Sequence, residues 1–302
     1  MKTAKLPKII AVVGPTSSGK SDVAVLIAKK VDGEVVSADS RQVYKGMNIG
    51  TGKVTKKEMA GITHHLLDVS NPKKVFTVAE YQKLAKKAID KILAKNKIPI
   101  ICGGTGFYIR GVIDDLEIPD VPPNKKLRKE LKNKSVEELF SILKKLDIRR
   151  AEEIDRHNPV RLIRAIEIAK ALGKVPPLKN KESKYDLLEI GLNPGQKVLN
   201  ERIKNRLLRR IKAGMFREIK NLHEDGVSWT RMEDMGLEYR YVSRYLQGLL
   251  KKEEMILELN KEIERYAKRQ MTWFNKDKRV RWFKPDQTEK ILKIAERFVK
   301  AK

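Results

Sequence analysis

The chain has 302 residues, of which 41% are apolar, and its 66 Lys and Arg outnumber its 39 Asp and Glu to give a formal net charge of +27. That apolar fraction excludes a disordered tail, and the single cysteine, Cys102, excludes internal disulfides and zinc sites built from several cysteines. The basic excess favours a polyanionic partner such as nucleic acid, although a generally lysine-rich composition would give the same charge.

The first predicted elements are a strand and a helix on either side of a glycine-rich turn. Residues 9–13 form an apolar, β-branched run typical of a buried strand, and apolar residues three and four apart from Val23 onward predict a helix. The turn between them fits the pattern G-x-x-x-x-G-K-[ST] at every required position. It consists of Gly14, Pro15, Thr16, Ser17, Ser18, Gly19, Lys20 and Ser21.

This turn predicts a phosphate-binding loop, the P-loop. Its glycines let the backbone wrap around phosphate oxygens, so that successive N–H groups point at the anion from a helix N-terminus. Lys20 adds a mobile positive charge, and the Ser21 hydroxyl can ligate Mg²⁺. A chance match in a turn is the alternative, and the flanking strand and helix argue against it. We predict that the loop binds a polyphosphate or a diphosphate.

Strands and helices continue to alternate over the first 115 residues. A short strand is predicted at 33–38, a short apolar element at 66–69, a helix at 77–95 and a fully apolar strand at 98–102, after which 103–106 turns into another helix. This alternation predicts a mostly parallel sheet with helices on both faces. Ligands of such sheets collect at the carboxyl ends of the strands.

Polar residues follow two of these strands, and both should lie at the same edge as the P-loop. Asp39 follows residues 33–38, and its carboxylate suits a general base or a magnesium ligand, with turn capping as the alternative. Thr105 places a hydroxyl after residues 98–102. That strand ends in Cys-Gly-Gly rather than in the Asp or Glu that holds magnesium and water in many P-loop hydrolases, which argues against a motor or a GTPase.

A helical block interrupts the alternating part of the chain. It lies between proline-rich stretches at 118–123 and 173–177, and a strand at 187–192 is predicted to rejoin the sheet. We predict an α/β fold: a P-loop NTPase-like core with a mostly parallel sheet, plus an all-helical insertion domain. The predicted core is 1–117 and 178–302, and the insertion is 118–177. Predicted helices lie at 125–133, 135–146, 151–155, 160–172, 199–213, 216–223, 239–250 and 253–273.

The most basic aromatic tract begins at Lys268. Cations that meet backbone phosphates, interleaved with flat rings that stack on bases, are typical of a surface for single-stranded or looped RNA. The alternative is an amphipathic helix that buries Trp273 and Phe274. The pairs Arg161 and Arg164, and Arg202 and Arg206, could clamp phosphates, although solvated helix faces look the same. These pairs lie three and four residues apart on predicted helices.

No apolar run approaches the roughly 20 residues that a membrane helix needs, and the first eight residues lack the apolar segment of a signal peptide. We therefore expect a cytoplasmic protein with no membrane partner. His64 and His65 lack acidic or cysteine neighbours at the spacing of a metal site, and we interpret them as structural.

Seven ordered motifs, which span nearly the whole chain, resemble those of the tRNA dimethylallyltransferases, also called tRNA isopentenyltransferases. They are GPTSSGKS at 14–21, DSRQVYKGMNIGT at 39–51, HHLLD at 64–68, GGTGFY at 103–108, VRLIRAIE at 160–167, GLEYR at 236–240 and KRQMTWF at 268–274. The zinc finger of eukaryotic relatives is absent, so the resemblance is to the bacterial type.

The resemblance implies an enzyme that transfers a dimethylallyl group from dimethylallyl diphosphate to the N6 amine of an adenosine in tRNA. That adenosine, at position 37, lies beside the anticodon of tRNAs reading codons that begin with U. In the family, the base is flipped out of the anticodon loop into a channel, and the diphosphate enters from the other end. The resemblance further implies Mg²⁺ as cofactor. A monomer is enough for the proposed site, so we expect a monomer with no obligatory protein partner.

The resemblance also assigns roles to individual residues. It implies that Asp39 takes the amine proton, that Thr105 forms a hydrogen bond near the reacting centre, and that the P-loop, Lys20 and Arg206 hold the departing diphosphate with Mg²⁺ on Ser21. The chain departs from the family pattern at two places. Val160 stands where the family usually has Gln, and GLEYR at 236–240 is an uncommon version of the family's Gly-Tyr-[RK] turn. Positions that match tRNA-contacting segments are Asp39, Ser40, Arg41, Gln42, Val160, Arg161, Leu162, Ile163, Arg164, Lys268, Arg269, Gln270 and Trp273.

Two other functional classes share parts of this pattern. A small-molecule or nucleotide kinase has the P-loop, a helical lid and an Asp near the phosphates, but it consumes ATP, whereas the transferase needs no nucleoside triphosphate. A non-catalytic RNA-binding protein with a relic P-loop is the third class. It would bind tRNA and form no product.

Overall fold

Within residues 6–177 and 183–301, which the computed structural model describes, all six strands run parallel in one sheet. Its strand order is β3-β2-β4-β1-β5-β6. The predicted α/β fold with a mostly parallel sheet is thus confirmed. The strands are β1 (Lys8–Val13), β2 (Gly33–Ser37), β3 (His64–His65), β4 (Ile98–Cys102), β5 (Asp186–Leu192) and β6 (Arg281–Phe283).

Helices account for most of the remaining described chain. Those of the first half are α1 (Lys20–Val31), α2 (Lys56–Met59), α3 (Val78–Leu93), α4 (Gly106–Ile113), α5 (Lys125–Leu131), α6 (Val136–Leu146), α7 (Ile148–Glu153) and α8 (Pro159–Leu172). Those of the second half are α9 (Gln196–Lys212), α10 (Met215–Glu224), α11 (Trp229–Met235), α12 (Leu237–Leu246), α13 (Lys252–Phe274) and α14 (Thr288–Lys300). No helix in the described part of the chain is long and apolar enough to cross a membrane.

The central strand β1 explains why the sheet is covered on both faces. Its residues from Ile9 to Val13 have no exposed surface, and they alternate between two cores. Ile9 packs in the cluster that contains Tyr81 of α3, whereas Ile10 packs with Ile27 of α1 and Ile291 of α14. A continuous apolar run is what a parallel strand with two buried faces requires.

The described residues fall into two compact units, 6–115 with 183–301, and 116–177. The first contains the sheet and a second apolar core, in which helices α9–α13 bury Met215, Tyr239 and Leu259. The second is entirely helical, and Leu139, Leu143 and Leu162 are fully buried in its core. The predicted boundaries, 117/118 and 177/178, differ from these by a few residues, and residues 178–182 lie outside the described chain.

The sequence was least informative where elements are short. The apolar element predicted at 66–69 is wrong: the strand is His64–His65, and Leu66 and Asp68 have φ angles of 66° and 56°, which turn the chain out of the sheet. Helices α2, α11 and α14 and the three-residue strand β6 were not predicted. By contrast, the prediction for β4 is confirmed to the residue, and Thr77 caps α3 in a reciprocal capping box with Glu80.

The helical unit is held together by a buried carboxylate. Glu167 on α8 accepts hydrogen bonds from the guanidinium of Arg128 (2.8 and 2.9 Å), from Arg164 (2.5 Å) and from the backbone N–H of Asn124 (2.6 Å). Burial alone would raise the pKa of Glu167, but these hydrogen bonds and the charge of Arg128 lower it below its usual value of 4.5.

We expect this unit to lose stability in acid. Because the folded-state pKa of Glu167 lies below the unfolded value, the stabilisation is present above about pH 4.5 and is lost as pH falls through the folded pKa. Glu167→Gln should lower the free energy of unfolding at pH 7 by about 1–3 kcal/mol and flatten this acid dependence. Hydrogen exchange of the α8 amides, corrected for the intrinsic pH dependence of exchange and measured from pH 7 down to about pH 2, would measure both effects.

The control for this experiment is Glu153→Gln, which breaks the solvent-exposed pair that Glu153 forms with Arg149 (3.1 Å). We expect it to change stability by less than about 0.5 kcal/mol. Equal acid sensitivity of α8 in the wild type and in the Glu167→Gln variant would contradict the assignment.

Candidate active site

The P-loop follows β1 and leads directly into α1. Gly14 has a φ of 139°, and a Cβ atom there would lie 2.5 Å from the carbonyl oxygen of Leu192, so the loop can pass the end of β5 only without a side chain. Gly19, at a φ of 94°, turns the chain into the first turn of α1. The Ser18 side chain is fully buried beneath the loop. The loop thus presents a helix N-terminus to the cleft, as the pattern predicts.

Lys20 lies over this loop and donates a hydrogen bond to the carbonyl of Pro15 (2.5 Å). Burial lowers the pKa of Lys20 to about 8, and the charge of Arg206 acts in the same direction, whereas Cys102 and Asp39 oppose it. An anion in the cradle would restore the preference for the charged ammonium, because opposite charges stabilise each other. The position therefore favours a negatively charged ligand.

Helix α9 lines the opposite wall of the cleft with three arginines. Arg206 donates to the Thr16 hydroxyl (3.2 Å) and to the Gly52 carbonyl (3.3 Å), and Arg202 donates to the Ser18 carbonyl (3.5 Å). Burial and the neighbouring Arg210 lower the pKa of Arg206 to about 10. Arg202, Arg206 and Arg209 are spaced four and three residues apart, so they lie on one face of the helix. All three line a cleft of about 440 Å³.

Asp39 and Thr105 lie at the carboxyl ends of β2 and β4, and Asp39 lines the same cleft. The Asp39 carboxylate accepts hydrogen bonds from the N–H groups of Arg41 (2.8 Å) and Gln42 (3.2 Å), both through Oδ1. The Thr105 hydroxyl accepts one from the N–H of Ser40 (3.1 Å). Asp39 therefore caps its turn with one oxygen while it lines the P-loop cleft. The turn cap is observed, and the role as general base or magnesium ligand stays a prediction.

A loop after Asp39 closes the third side of the cleft. Gln42, Thr51 and Gly52 line it, and a Cβ atom at Gly52 would overlap the guanidinium groups of Arg206 and Arg210. Glu218 holds this loop by accepting three backbone N–H groups, those of residues 48, 49 and 50, at 2.6–2.9 Å. Arg209 and Glu218 were not among the predicted site residues. Arg202 was predicted only as a possible phosphate clamp with Arg206, and the resemblance gave a role to Arg206 alone.

Helix α13 meets the cleft through Gln270, whose side chain is only 6% exposed. Its amide accepts the N–H of Thr16 (2.8 Å) and donates to the carbonyl of Gly104 (2.8 Å). Contact between this amide and tRNA, which the resemblance implies, does not fit its position, because both polar ends are bound within the protein. On the same helix Lys268 and Arg269 are exposed, and Arg269 pairs with Glu262 (2.8 Å).

The alternative that the aromatic pair on α13 is buried holds for Phe274 only, and stacking of Trp273 on RNA stays a prediction. Phe274 is 1% exposed and belongs to the apolar core, whereas Trp273 is 40% exposed and meets Phe107 edge-on, with ring centroids 6.5 Å apart. Among the other predicted tRNA contacts, Ser40, Arg41 and Gln42 are partly accessible. Arg41 donates to the carbonyl of Met235 (3.0 Å), at the GLEYR turn.

In the helical unit, the predicted tRNA contacts differ in accessibility. Val160 is 75% exposed and Arg161 is also exposed, whereas Ile163 is partly buried. Leu162 is a correction: it is fully buried in the core of this unit, so its side chain cannot reach an RNA. Arg164 is occupied by Glu167 and by the carbonyl of Val121 (2.9 Å), where it fixes the start of the insertion.

The residues of the cleft fit a magnesium ion that is bound mainly through a substrate. Among the described residues, no group of three or more His, Cys, Asp or Glu side chains could hold a metal. Mg²⁺ commonly keeps several waters and binds phosphate oxygens together with one or two protein ligands, so an all-protein cage is not required. The Ser21 hydroxyl and the Asp39 carboxylate, both at the cleft, are the candidate ligands.

Comparisons with known proteins agree with this geometry. A protein-family model described as IPP transferase matches residues 42–277. The tRNA dimethylallyltransferase of Anoxybacillus flavithermus is 40% identical over 94% of this chain and 92% of its own, and that of Syntrophomonas wolfei is 37% identical over 91% of each chain. The crystal structure of the tRNA isopentenylpyrophosphate transferase from Bacillus halodurans superposes with a TM-score of 0.73 at 36% identity, over 97% of this chain and 98% of that one. The chain therefore belongs to the IPP transferase family.

Proposed function

We propose that this protein transfers a dimethylallyl group from dimethylallyl diphosphate to the N6 amine of adenosine 37 in tRNAs that read UNN codons, forming N6-isopentenyladenosine. The observation that carries the proposal is that the P-loop, the Asp39 carboxylate and three arginines of α9 line one cleft. Such a cleft suits a reaction in which a diphosphate leaves while a neighbouring amine loses a proton. The names of the relatives support the same reaction.

The leaving group would occupy the P-loop. Negative charge develops on the diphosphate as its bond to the dimethylallyl carbon breaks, and preorganised donors aimed at that charge lower the barrier. The N–H groups at the start of α1, together with Lys20 and Arg206, supply such donors. Mg²⁺, when bound with the diphosphate, would add further positive charge to the leaving oxygens.

The acceptor amine would approach from the side of Asp39 and Thr105. As the nitrogen bonds to the dimethylallyl carbon, one N–H proton passes to the Asp39 carboxylate, so that the product amine is neutral. Asp39 can do this without losing its turn, because both cap hydrogen bonds use Oδ1. The Thr105 oxygen accepts from Ser40, which leaves its O–H to donate to the adenine.

In the unit that contains the sheet, the tRNA would be held by basic and aromatic side chains of α13. The exposed residues of α8 are a separate predicted contact within the helical unit. Lys268 and Arg269 can meet phosphates, and the half-exposed ring of Trp273 can stack on an unpaired base. Extruding the adenosine from a loop costs a few kcal/mol at most, less than from a duplex. We further propose that the protein acts in the cytoplasm. We also propose that it acts as a monomer, because one chain supplies the P-loop, Asp39 and the three arginines that line the cleft.

The test is to incubate the protein with tRNA, Mg²⁺ and labelled dimethylallyl diphosphate in the absence of ATP. We expect label in the tRNA, and mass analysis of its nucleosides should identify N6-isopentenyladenosine. A tRNA with adenosine 37 replaced by guanosine is the matched control and should stay unlabelled. Phosphate transfer from ATP without any label in tRNA would instead favour a P-loop kinase.

A further inference from the structure

The amide of Gln270 joins the two halves of the cleft. Its Oε1 accepts the N–H of Thr16 in the P-loop, and its Nε2 donates to the carbonyl of Gly104 in the turn between β4 and α4, each at 2.8 Å. Thr105 follows immediately, and its hydroxyl accepts the N–H of Ser40, the residue after Asp39. One buried side chain therefore connects the diphosphate cradle with the turn that carries the acceptor side of the site.

The chain around Gln270 is shaped to fit this amide. A Cβ atom at Gly104 would lie 2.2 Å from Nε2 of Gln270, and one at Gly106 would lie 2.1 Å from Nε1 of Trp273. One turn of α13 thus rests on glycines on both sides of Thr105, and a side chain at either glycine would have to displace Gln270 or Trp273. Thr16 is also held from the opposite wall, where Arg206 donates to its hydroxyl (3.2 Å).

We propose that Gln270 is a positioning residue, which sets the separation between the diphosphate cradle and the turns after β2 and β4 that carry Asp39 and Thr105. The inference rests on the proposed function, because only a reaction between two substrates held on opposite sides depends on that separation. The Thr16 N–H group, which a P-loop could otherwise donate to a phosphate, is already hydrogen-bonded to Gln270. Gln270 therefore fixes how the loop faces the diphosphate without touching the reacting atoms.

A positioning role affects the rate more than the binding of either substrate. Misplacing reacting groups by about 1 Å can cost around a hundredfold in rate, because the bound geometry is no longer close to attack. Gln270→Met keeps the length of the side chain and removes both hydrogen bonds. We expect kcat to fall about 10- to 100-fold, while the affinities for inorganic pyrophosphate and for tRNA each change less than about threefold.

Gln270→Glu gives a signature that a merely structural role would not produce. Its ionised carboxylate can accept the Thr16 N–H but cannot donate to Gly104, whereas the protonated carboxyl can do both. Burial raises the pKa of such a carboxyl, whereas the charges of Lys20 and Arg206 in the same cleft lower it, and in either case the protonated form becomes more populated as pH falls. We expect the ratio of variant to wild-type kcat to rise at least threefold from pH 8 to pH 6, and the ratio for Gln270→Met to stay constant.

The matched control is Gln247→Met, the same substitution at an exposed glutamine whose amide donates to the Ser243 carbonyl on its own helix (3.0 Å). It should leave kcat and both affinities unchanged. Single-turnover transfer assays, calorimetry with pyrophosphate and filter binding with tRNA give the three readouts, and thermal unfolding shows that the variants fold.

The possible failures are distinguishable. Absence of pyrophosphate binding and of transfer in the wild type would remove the proposed function itself. A wild type that transfers normally, with Gln270→Met equal to it in kcat, would overturn the positioning role. A variant that loses rate, both affinities and thermal stability together would assign Gln270 a purely structural role instead.

Discussion

Replacing Asp39 with Asn should slow dimethylallyl transfer about 10²- to 10⁴-fold, the usual contribution of a general base, while tRNA still binds. The amide is nearly isosteric, and its oxygen can still accept the N–H groups of Arg41 and Gln42 that Oδ1 accepts now, at 2.8 and 3.2 Å. The turn should therefore keep its shape. What the variant loses is the ability to accept a proton from the attacking amine.

Asp39→Ala separates these two contributions. It removes the base and the turn cap together, so a further loss relative to Asn reports what the cap contributes to the position of the loop. The measurement is single-turnover transfer to tRNA with labelled donor, with filter binding for tRNA and calorimetry for pyrophosphate. Turnover of Asp39→Asn within tenfold of the wild type would remove Asp39 as the base.

Site residues that belong to a local pattern could be read directly from the sequence. The P-loop depends on glycines at fixed spacing between a strand and a helix, and those neighbours fix its geometry. The shared location of Asp39 and the P-loop followed from a general property of parallel sheets, whose carboxyl ends form one edge. Neither inference needed any contact between distant parts of the chain.

Residues whose partners are remote in sequence could not be read in this way. Gln270 lies 254 residues from Thr16, so nothing near it indicates that its amide is bound inside the protein rather than facing an RNA. Leu162 is similar, because only the packing of the helical unit distinguishes it from its exposed neighbour Arg161. The strand β6 has three residues, too few for a hydrophobic period to be recognised.

A largely buried group of charges around Arg110 also joins residues that are far apart in the sequence. Arg110 on α4 donates to both oxygens of Glu189 on β5 (3.1 and 3.3 Å) and pairs with Asp277 just after α13. Arg279 closes the group by pairing with Asp114 (2.8 Å) and Asp277 (2.9 Å). The Glu189 side chain has no exposed surface, and burial raises its pKa despite the charge of Arg110.

Arg110→Met should lower the free energy of unfolding by about 3–5 kcal/mol, because it leaves the Glu189 carboxylate buried without its cation. The loss should be smaller at pH 5 than at pH 8. Because the charge of Arg110 lowers the pKa of Glu189, its removal raises that pKa further, so the folded variant keeps a proton on Glu189 to higher pH than the wild type and loses more stability as pH rises. The double variant Arg110→Met, Glu189→Leu should recover most of the loss, because a buried ion pair can be replaced by apolar groups at little cost.

Denaturant unfolding measures the wild type, the single variant and the double variant, with the exposed Arg149→Met as control. A single variant that loses less than about 1 kcal/mol, or a double variant no more stable than the single one, would show that the Arg110–Glu189 pair does not hold β5 against α4.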